Sequence, residues 1–250
     1  KEVINVRENV GLIEVANFSK HEFKGPDARK FLDHIMAGRL PKPGRISLSP
    51  MLSYRGKLCG DLTVACLDEN EFMVFGSGAA QEMHRRWFES HLGKFNLSYS
   101  NRSDEYHGLS IAGPNSRKVL EKIVRDNVSN EKFKFRDSRR MFVGGVPAII
   151  NRISFTGELG YEIYVAPHYQ LKLYEELMEA GKEFNIKPFG GRALMSMRLE
   201  KNWGAWTLDY RPDFTAKETG LDAFINWDKE FIGKESAQKE NSSNKLIPLI

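Results

Sequence analysis

Cysteine is scarce in this sequence, and long apolar runs are absent. The 250 residues contain two cysteines, Cys59 and Cys66. They supply neither a disulfide framework nor the spacing of a Cys or Cys/His metal site. We therefore expect a reducing compartment, either the cytoplasm or, in a eukaryote, the mitochondrial matrix. No stretch approaches the roughly 20 apolar residues that span a bilayer, and the first residues do not resemble a signal peptide. We expect no membrane partner.

Dense positive charge and nucleotide-binding glycine patterns are also missing. The net charge is only +4, and no lysine- or arginine-rich stripe stands out, so we expect no nucleic-acid partner. No Gly-x-Gly-x-x-Gly pattern follows a predicted strand, so the sequence contains no dinucleotide-binding fingerprint of its own. No pair among the six histidines has a convincing metal-ligand spacing, and no metal site is predicted.

An internal repeat is the first positive signal. A short strand runs into Gly25-Pro26 and then a helix with Phe31, Leu32 and Ile35 at helical spacing. The same order recurs at Gly113-Pro114. Proline suits the first turn of a helix, where its missing N–H has no helical partner. The duplication predicts an α+β fold of two antiparallel, ferredoxin-like sheet units, each with helices packed on it.

Patterning predicts the remaining elements. Strands are expected near 46–53, 61–67, 71–76, 107–112, 140–144, 147–154 and 161–166, and helices over about 79–92, 168–183 and 190–201. In the first of these helices, Met83, Trp87 and Phe88 should form the buried stripe. We expect residues 20–104 to form one unit, and residues 1–19 with 105–235 to form the other. Residues 236–250 are read as a linker and the start of a truncated third domain.

The most informative stretch is Phe155 to Glu162, with the sequence FTGELGYE. It predicts a turn with two glycines that leads into a strand. Side chains alternate between the faces of a strand, so Glu162 should share a face with Tyr164, opposite Tyr161 and Ile163. A carboxylate on an apolar strand needs a partner. That partner could be an arginine of the protein or a ligand rich in N–H groups.

This stretch, with four others, resembles the glycine-cleavage T-protein (aminomethyltransferase) folate-binding family. The resemblance is strongest to the C-terminal folate domain of dimethylglycine and sarcosine dehydrogenases. The other segments are Met51-Leu52 with Gly60 to Val64, Ile111 to Pro114, Arg198 to Lys201, and Phe231 to Lys234. The resemblance implies that tetrahydrofolate is the cofactor and that a C-terminal β-barrel domain is missing from this chain.

Two carboxylates follow from the resemblance as the main site residues. Glu162 matches the glutamate that accepts the amino group and ring N–H of a reduced pterin; otherwise it would form a structural ion pair with an arginine. Asp61 is the predicted catalytic residue, which handles a proton on a folate nitrogen; otherwise it is a turn carboxylate. Many aminomethyltransferases carry Asp-Asp at this point, and as we align them Gly60 replaces the first, catalytic acid.

Four further residues are predicted to bind the cofactor. Phe155 stands where relatives commonly have a tyrosine against the pterin, although a core aromatic explains it equally well. Ser77 lies in Gly76-Ser77-Gly78, a segment that would be interpreted only as a loop without the resemblance. Arg192 matches an arginine that reaches toward the folate, and Tyr54 completes the set.

The leading hypothesis is a one-carbon-transfer domain that forms 5,10-methylene-tetrahydrofolate. Its one-carbon unit would come from an N-methyl amine, dimethylglycine or sarcosine, oxidised by a flavin domain. FAD is therefore expected only if such a domain lies upstream of this chain. The second hypothesis is a glycine-cleavage aminomethyltransferase with a lipoyl carrier partner, which Gly60 disfavours. A non-enzymatic folate-binding module and a ferredoxin-like RNA- or protein-binding module are the remaining alternatives.

Overall fold

The computed structural model describes residues 1–240, 242 and 244–247. Contacts divide the chain into two units. The Glu162 unit comprises Lys1–Asn17 and Ser103–Trp203, and the Asp61 unit comprises Phe18–Arg102 and Gly204–Ile250. Within the described residues, no helix is both long and apolar enough to cross a bilayer.

Strands and short helices are interspersed along the chain, and only helices follow Pro188 among the described residues. The strands are β1 (Gly11–Glu14), β2 (Ser19–Lys24), β3 (Arg45–Leu52), β4 (Leu58–Asp68), β5 (Glu71–Gly76), β6 (Ser98–Asn101), β7 (His107–Ala112), β8 (Ser138–Val143), β9 (Val146–Asn151), β10 (Gly160–Val165) and β11 (Lys187–Pro188). The α-helices are α1 (Glu2–Glu8), α2 (Ala28–Ile35), α3 (Gln81–His91), α4 (Ser116–Ile123), α5 (Gln170–Ala180), α6 (Gly191–Glu200), α7 (Ala216–Thr219) and α8 (Lys234–Lys239). Short 3-10 turns cover Gly78–Ala80, Pro167–Tyr169, Lys182–Phe184 and Leu221–Phe224.

The Glu162 unit is built on a sheet with strand order β11-β1-β7-β10-β9-β8. One face of β10 carries Tyr161, Ile163 and Val165, which pack with Leu120 of α4 and Leu177 of α5 in a buried core. Each large apolar side chain buried in this way contributes about 1.5–3 kcal/mol. Glu162 and Tyr164 therefore project from the opposite face of β10, as the alternation predicts.

The Asp61 unit contains the second sheet, with order β3-β4-β5-β2-β6. Its main core lies between the sheet and helices α2 and α3, and includes Phe31, Leu62, Val64 and Phe88. The other face of the sheet is also largely buried, since Met73 on β5 is only 1% exposed. Asp61 lies on that second face, because it alternates with Leu62 along β4.

The internal repeat is present in the structure. The sheet order of the Asp61 unit recurs in the Glu162 unit as β8-β9-β10-β7-β11, with the N-terminal strand β1 inserted between β7 and β11. Both helix entrances use a glycine with positive φ, at 139° for Gly25 and 130° for Gly113. A side chain at Gly113 would also approach the carbonyl of Val6 to 2.5 Å, so this corner admits only glycine. The predicted α+β class and its duplicated sheets are confirmed.

The predicted helices and strands agree with the structure to within three residues at each end. One predicted burial pattern is wrong. Met83 of α3 is 39% exposed, and His84 is buried in its place, with 1% exposure. The helix is rotated relative to the expected stripe because His84 packs against the backbone at Gly60, which has no side chain to exclude it.

The division into units differs from the expected one at residues 204–235, which belong with 18–102 rather than with the Glu162 unit. Backbone hydrogen bonds explain the difference. The amide of Leu58 donates to the carbonyl of Phe214 at 2.9 Å, and the amide of Asn226 donates to the carbonyl of Ala37 at 2.9 Å. Residues 236–239, expected in a linker, form part of α8. Residues 241, 243 and 248–250 of the expected third-domain start lie outside the described residues.

Candidate functional site

Glu162 is a buried carboxylate held by a neighbour on its own strand. It is 9% exposed, and its Oε2 accepts a hydrogen bond from the Tyr164 hydroxyl at 2.8 Å. Burial raises the pKa of the Glu162 carboxyl to about 7, while the Tyr164 hydrogen bond and the positive charge of Lys201 act in the opposite direction. Within the described part of the chain, no ion pair joins Glu162 to an arginine, which was the structural alternative for this residue.

Lys201 links the end of α6 to the turn that precedes Glu162. Its Nζ donates to the carbonyl of Ser154 at 2.9 Å. Its aliphatic stem passes within 3.5 Å of the position that a Cβ on Gly157 would take. Gly157 has φ +86°, which glycine adopts without strain. The lysine therefore braces the turn and places a positive charge near Glu162.

Hydroxyl groups close the turn locally. The Oγ of Ser154 and the Oγ1 of Thr156 lie 2.7 Å apart, and the amide of Glu158 donates to Thr156 at 3.2 Å. The Glu158 carboxylate pairs with Arg7 at 3.5 Å. The Glu158 carboxylate is thus paired with a residue of α1, which leaves Glu162 as the carboxylate of this motif that faces the sheet surface.

Polar residues flank Glu162 on the neighbouring strands. Glu162 pairs directly with Asn151 on β9 and with Ser110 on β7. Asn151 accepts a hydrogen bond from Ser138 at 2.7 Å through its Oδ1, and its buried Nδ2 has no hydrogen-bond partner. A row of polar side chains thus crosses four strands of a largely apolar sheet. Such a row is expensive to bury unless a ligand or a structural network uses it.

Phe155 and Arg192 are the other two predicted site residues of this unit. Phe155 is partly buried at the entrance to the turn, seven residues before Glu162. Arg192 is exposed in the first turn of α6. Arg198, on the same helix, is 5% exposed and donates to the carbonyl of Trp203 at 2.9 Å.

Asp61 follows directly after a β-bulge. The register between β3 and β4 shifts near Cys59, with Met51 paired to Gly60 and Leu52 paired to Leu58. Bulges are enriched next to active sites, where they redirect a side chain. Asp61 is partly exposed, and burial raises its pKa to about 7, opposed by a hydrogen bond from its own backbone amide. A carboxyl group that titrates near neutrality is suited to general acid–base catalysis.

Gly60 faces the helices rather than the Asp61 surface. A Cβ at Gly60 would lie 2.8 Å from Nε2 of His84. That nitrogen is hydrogen-bonded to the carbonyl of Cys59 at 2.9 Å. Burial lowers the pKa of His84 to about 4, so the ring is neutral at pH 7. His84 therefore fills the space that the expected family acid would need.

Ser77 directly follows β5, the strand that pairs with β4. If the register that pairs Thr63 with Phe75 continued for two more residues, Ser77 would lie across from Asp61. Tyr54 is 65% exposed in the turn between β3 and β4, and its hydroxyl lies 2.8 Å from Nε2 of His91, at the end of α3. Tyr54 remains a prediction as a cofactor contact.

Sequence reasoning did not single out Tyr164 or Lys201 as functional residues. The alternation of β10 did place Tyr164 on the face of Glu162, and this was the available signal. The proximity of Lys201 had no such signal, because it depends on how α6 packs after the chain has left β10.

Comparison with known proteins identifies the family. Residues 1–229 match the GCVT N-terminal domain family. Dimethylglycine dehydrogenase of Mus musculus is 36% identical over 252 residues, which cover 98% of this chain and 29% of that protein. The aminomethyltransferase of Thermoanaerobacter sp. (strain X514) is 30% identical over 248 residues, covering 97% of this chain and 67% of that protein.

A solved structure shows the same fold. The glycine cleavage system aminomethyltransferase T from Bartonella henselae superimposes with a TM-score of 0.86 at 22% identity, covering 95% of this chain and 64% of that one. The chain spans less than a third of the length of the dimethylglycine dehydrogenase that it matches. It belongs to the GCVT N-terminal domain family, as an aminomethyltransferase-type domain related to dimethylglycine dehydrogenases and aminomethyltransferases.

Proposed function

We propose that this chain is a tetrahydrofolate-binding domain that forms 5,10-methylene-tetrahydrofolate. The observation that carries the proposal is Glu162, a buried carboxylate oriented by Tyr164 at the start of a strand. A reduced pterin presents an amino group and a ring N–H side by side, and one ionised carboxylate can accept both hydrogen bonds. The residues present therefore fit this ligand.

Asp61 is proposed as the residue that handles the proton. Tetrahydrofolate, when bound, supplies two nitrogens that carry a one-carbon unit between them. Asp61 accepts the proton released when the first carbon–nitrogen bond forms, and its pKa of about 7 allows it to exchange that proton near neutral pH. Glu162 and Arg192 are proposed to hold the cofactor in position, and holding reactants in place lowers the reaction barrier by several kcal/mol.

We further propose that the one-carbon unit comes from an N-methyl amine such as dimethylglycine or sarcosine, oxidised by a flavin domain. The support is the similarity to dimethylglycine dehydrogenase along 98% of this chain. Formaldehyde and tetrahydrofolate combine to give 5,10-methylene-tetrahydrofolate and water, so this step needs no added oxidant or reductant.

Calorimetry with tetrahydrofolate tests the binding site. Replacing Glu162 with Gln should weaken binding roughly 100-fold at pH 8, because two charge-assisted hydrogen bonds are lost or weakened. Glu158→Gln is the matched control. It removes a carboxylate of the same turn that is paired with Arg7, and its affinity should stay within about threefold of wild type. Equal affinities for wild type and Glu162→Gln would reject the site.

A separate assay tests Asp61. Formation of 5,10-methylene-tetrahydrofolate from formaldehyde is followed with Asp61→Asn. We expect the catalysed rate to fall roughly 100-fold, in the range typical of general acid–base catalysis, while tetrahydrofolate affinity changes only a few-fold. A wild-type rate in this variant would remove Asp61 from the mechanism.

Aminomethyl transfer from a lipoyl carrier is the second candidate. The aminomethyltransferase relative, of which this chain covers 67% of the length, favours it. Gly60 and the His84 ring that fills its side of the strand speak against it. Release of ammonia from an aminomethyl-lipoyl protein in the presence of tetrahydrofolate would establish this activity instead.

A further inference from the structure

Tyr164 is the residue that most directly controls Glu162. It is fully buried, and its hydroxyl donates to Oε2 of the carboxylate at 2.8 Å. Its ring is held against Gly108 on the adjacent strand β7, where a Cβ would come within 2.7 Å of the ring. The glycine therefore makes room for the ring, and the ring position fixes the direction of the hydroxyl.

This arrangement determines which carboxylate oxygen a ligand can use. The Tyr164 hydroxyl occupies Oε2, so Oε1 and the remaining lone pair of Oε2 are the acceptors left for a ligand. Burial raises the pKa of Tyr164 well above its usual range, so the hydroxyl stays protonated and can act only as the donor in this bond at physiological pH.

The remaining groups around Glu162 leave it dependent on this bond. Its cross-strand neighbours, Asn151 and Ser110, do not ionise. Among the described residues, Lys201 is the charged group that acts on Glu162. Burial of the carboxylate opposes its ionisation more strongly than Lys201 and Tyr164 together favour it. A hydrogen bond to the ionised form should therefore change the fraction of Glu162 that is ready to accept at neutral pH.

We propose that Tyr164 is a positioning residue that fixes the Glu162 carboxylate as an oriented acceptor for the paired N–H groups of the ligand. The inference rests on the proposed folate function and extends it to a residue outside the motif. Tyr164 does not touch the reacting atoms in this role. It acts on binding through Glu162, by orientation and by favouring the ionised carboxylate.

Binding of tetrahydrofolate measured from pH 5.5 to pH 9 tests the proposal on the full chain. Tyr164→Phe removes only the hydroxyl. We expect about 10-fold weaker binding at pH 7, a pH midpoint of binding displaced upward, and a smaller loss at pH 9, where the carboxylate is ionised in both proteins. Tyr161→Phe is the matched control, since it removes a hydroxyl from the other face of the same strand, and it should leave affinity and midpoint unchanged.

A second measurement follows the ionisation of Glu162 directly, in the protein without ligand. Infrared difference spectra of the carboxyl band, assigned with Glu162→Gln, report the titration of Glu162 in the free protein. The midpoint should lie higher in Tyr164→Phe than in wild type. An unchanged midpoint, or binding weakened by the same factor at every pH, would overturn the effect of Tyr164 on the ionisation of Glu162. An affinity equal to that of wild type would overturn its role in orientation.

The two proposals fail in different ways. If wild type does not bind tetrahydrofolate, or if Glu162→Gln binds it as well as wild type, the folate function fails. If wild type binds, Glu162→Gln loses affinity and Tyr164→Phe matches wild type at every pH, only the role of Tyr164 fails.

Discussion

Replacing Glu162 with Gln should stabilise the free protein at neutral pH while it weakens tetrahydrofolate binding. Burial raises the pKa of Glu162 from 4.5 to about 7, so the folded protein holds this proton more tightly than the unfolded chain does. The associated stability is complete below about pH 4.5 and is lost as the pH rises through about 7. At about 1.36 kcal/mol for each pKa unit, the difference of about 2.5 corresponds to about 3 kcal/mol above pH 7.

The variant avoids this loss because Gln does not ionise, and its amide oxygen can still accept from Tyr164. Urea unfolding of both proteins at pH 4 and pH 8 measures the effect. The free energy of unfolding of Glu162→Gln should exceed that of wild type by up to about 3 kcal/mol at pH 8, with little difference at pH 4.

Glu158→Gln is again the control. Its carboxylate is partly exposed and paired with Arg7, so its effect should stay below about 1 kcal/mol at both pH values. A Glu162→Gln protein that is no more stable than wild type at pH 8 would show that the Glu162 carboxylate is better solvated, or better paired, than its contacts indicate. The orientation argument for the ligand would then lose its basis.

Three further substitutions test the surroundings. Gly60→Ala should lower the free energy of unfolding by about 1–3 kcal/mol, because its Cβ would meet His84 at 2.8 Å, whereas Gly191→Ala, with open space around it, should not; urea unfolding compares them. Burial lowers the pKa of His21 to about 3. Below about pH 6.5 the unfolded chain therefore binds a proton at His21 that the folded chain does not bind. The stability of His21→Leu relative to wild type should therefore improve by about 2 kcal/mol from pH 7 to pH 5, and a constant difference would contradict this. Arg192→Ala should weaken tetrahydrofolate binding about 10-fold with an unchanged melting temperature, and equal affinity in calorimetry would remove Arg192 from the site.

Local sequence determined much of the fold. The Gly-Pro helix entrances and the apolar periodicity specified the repeat, because the conformations available to glycine and proline and the period of each element act over a few residues. The short strands β1, β6 and β11, of four, four and two residues, were not predicted. Strands of this length carry almost no periodic signal, and they form because an existing sheet edge offers unpaired hydrogen-bonding groups.

The features of the candidate site were likewise predicted in part from the sequence and decided in part by the tertiary structure. Alternation along β10 was enough to predict that Glu162 and Tyr164 share a face, and the family motif marked Glu162 and Asp61 as the residues to consider. Only the tertiary structure could give each carboxyl a pKa near 7, because desolvation depends on every element packed around a group. It also decided that His84 fills the space beside Gly60 and that Lys201 lies near Glu162. The two pairs are 24 and 39 positions apart in the sequence, and no local pattern in the chain encodes their proximity.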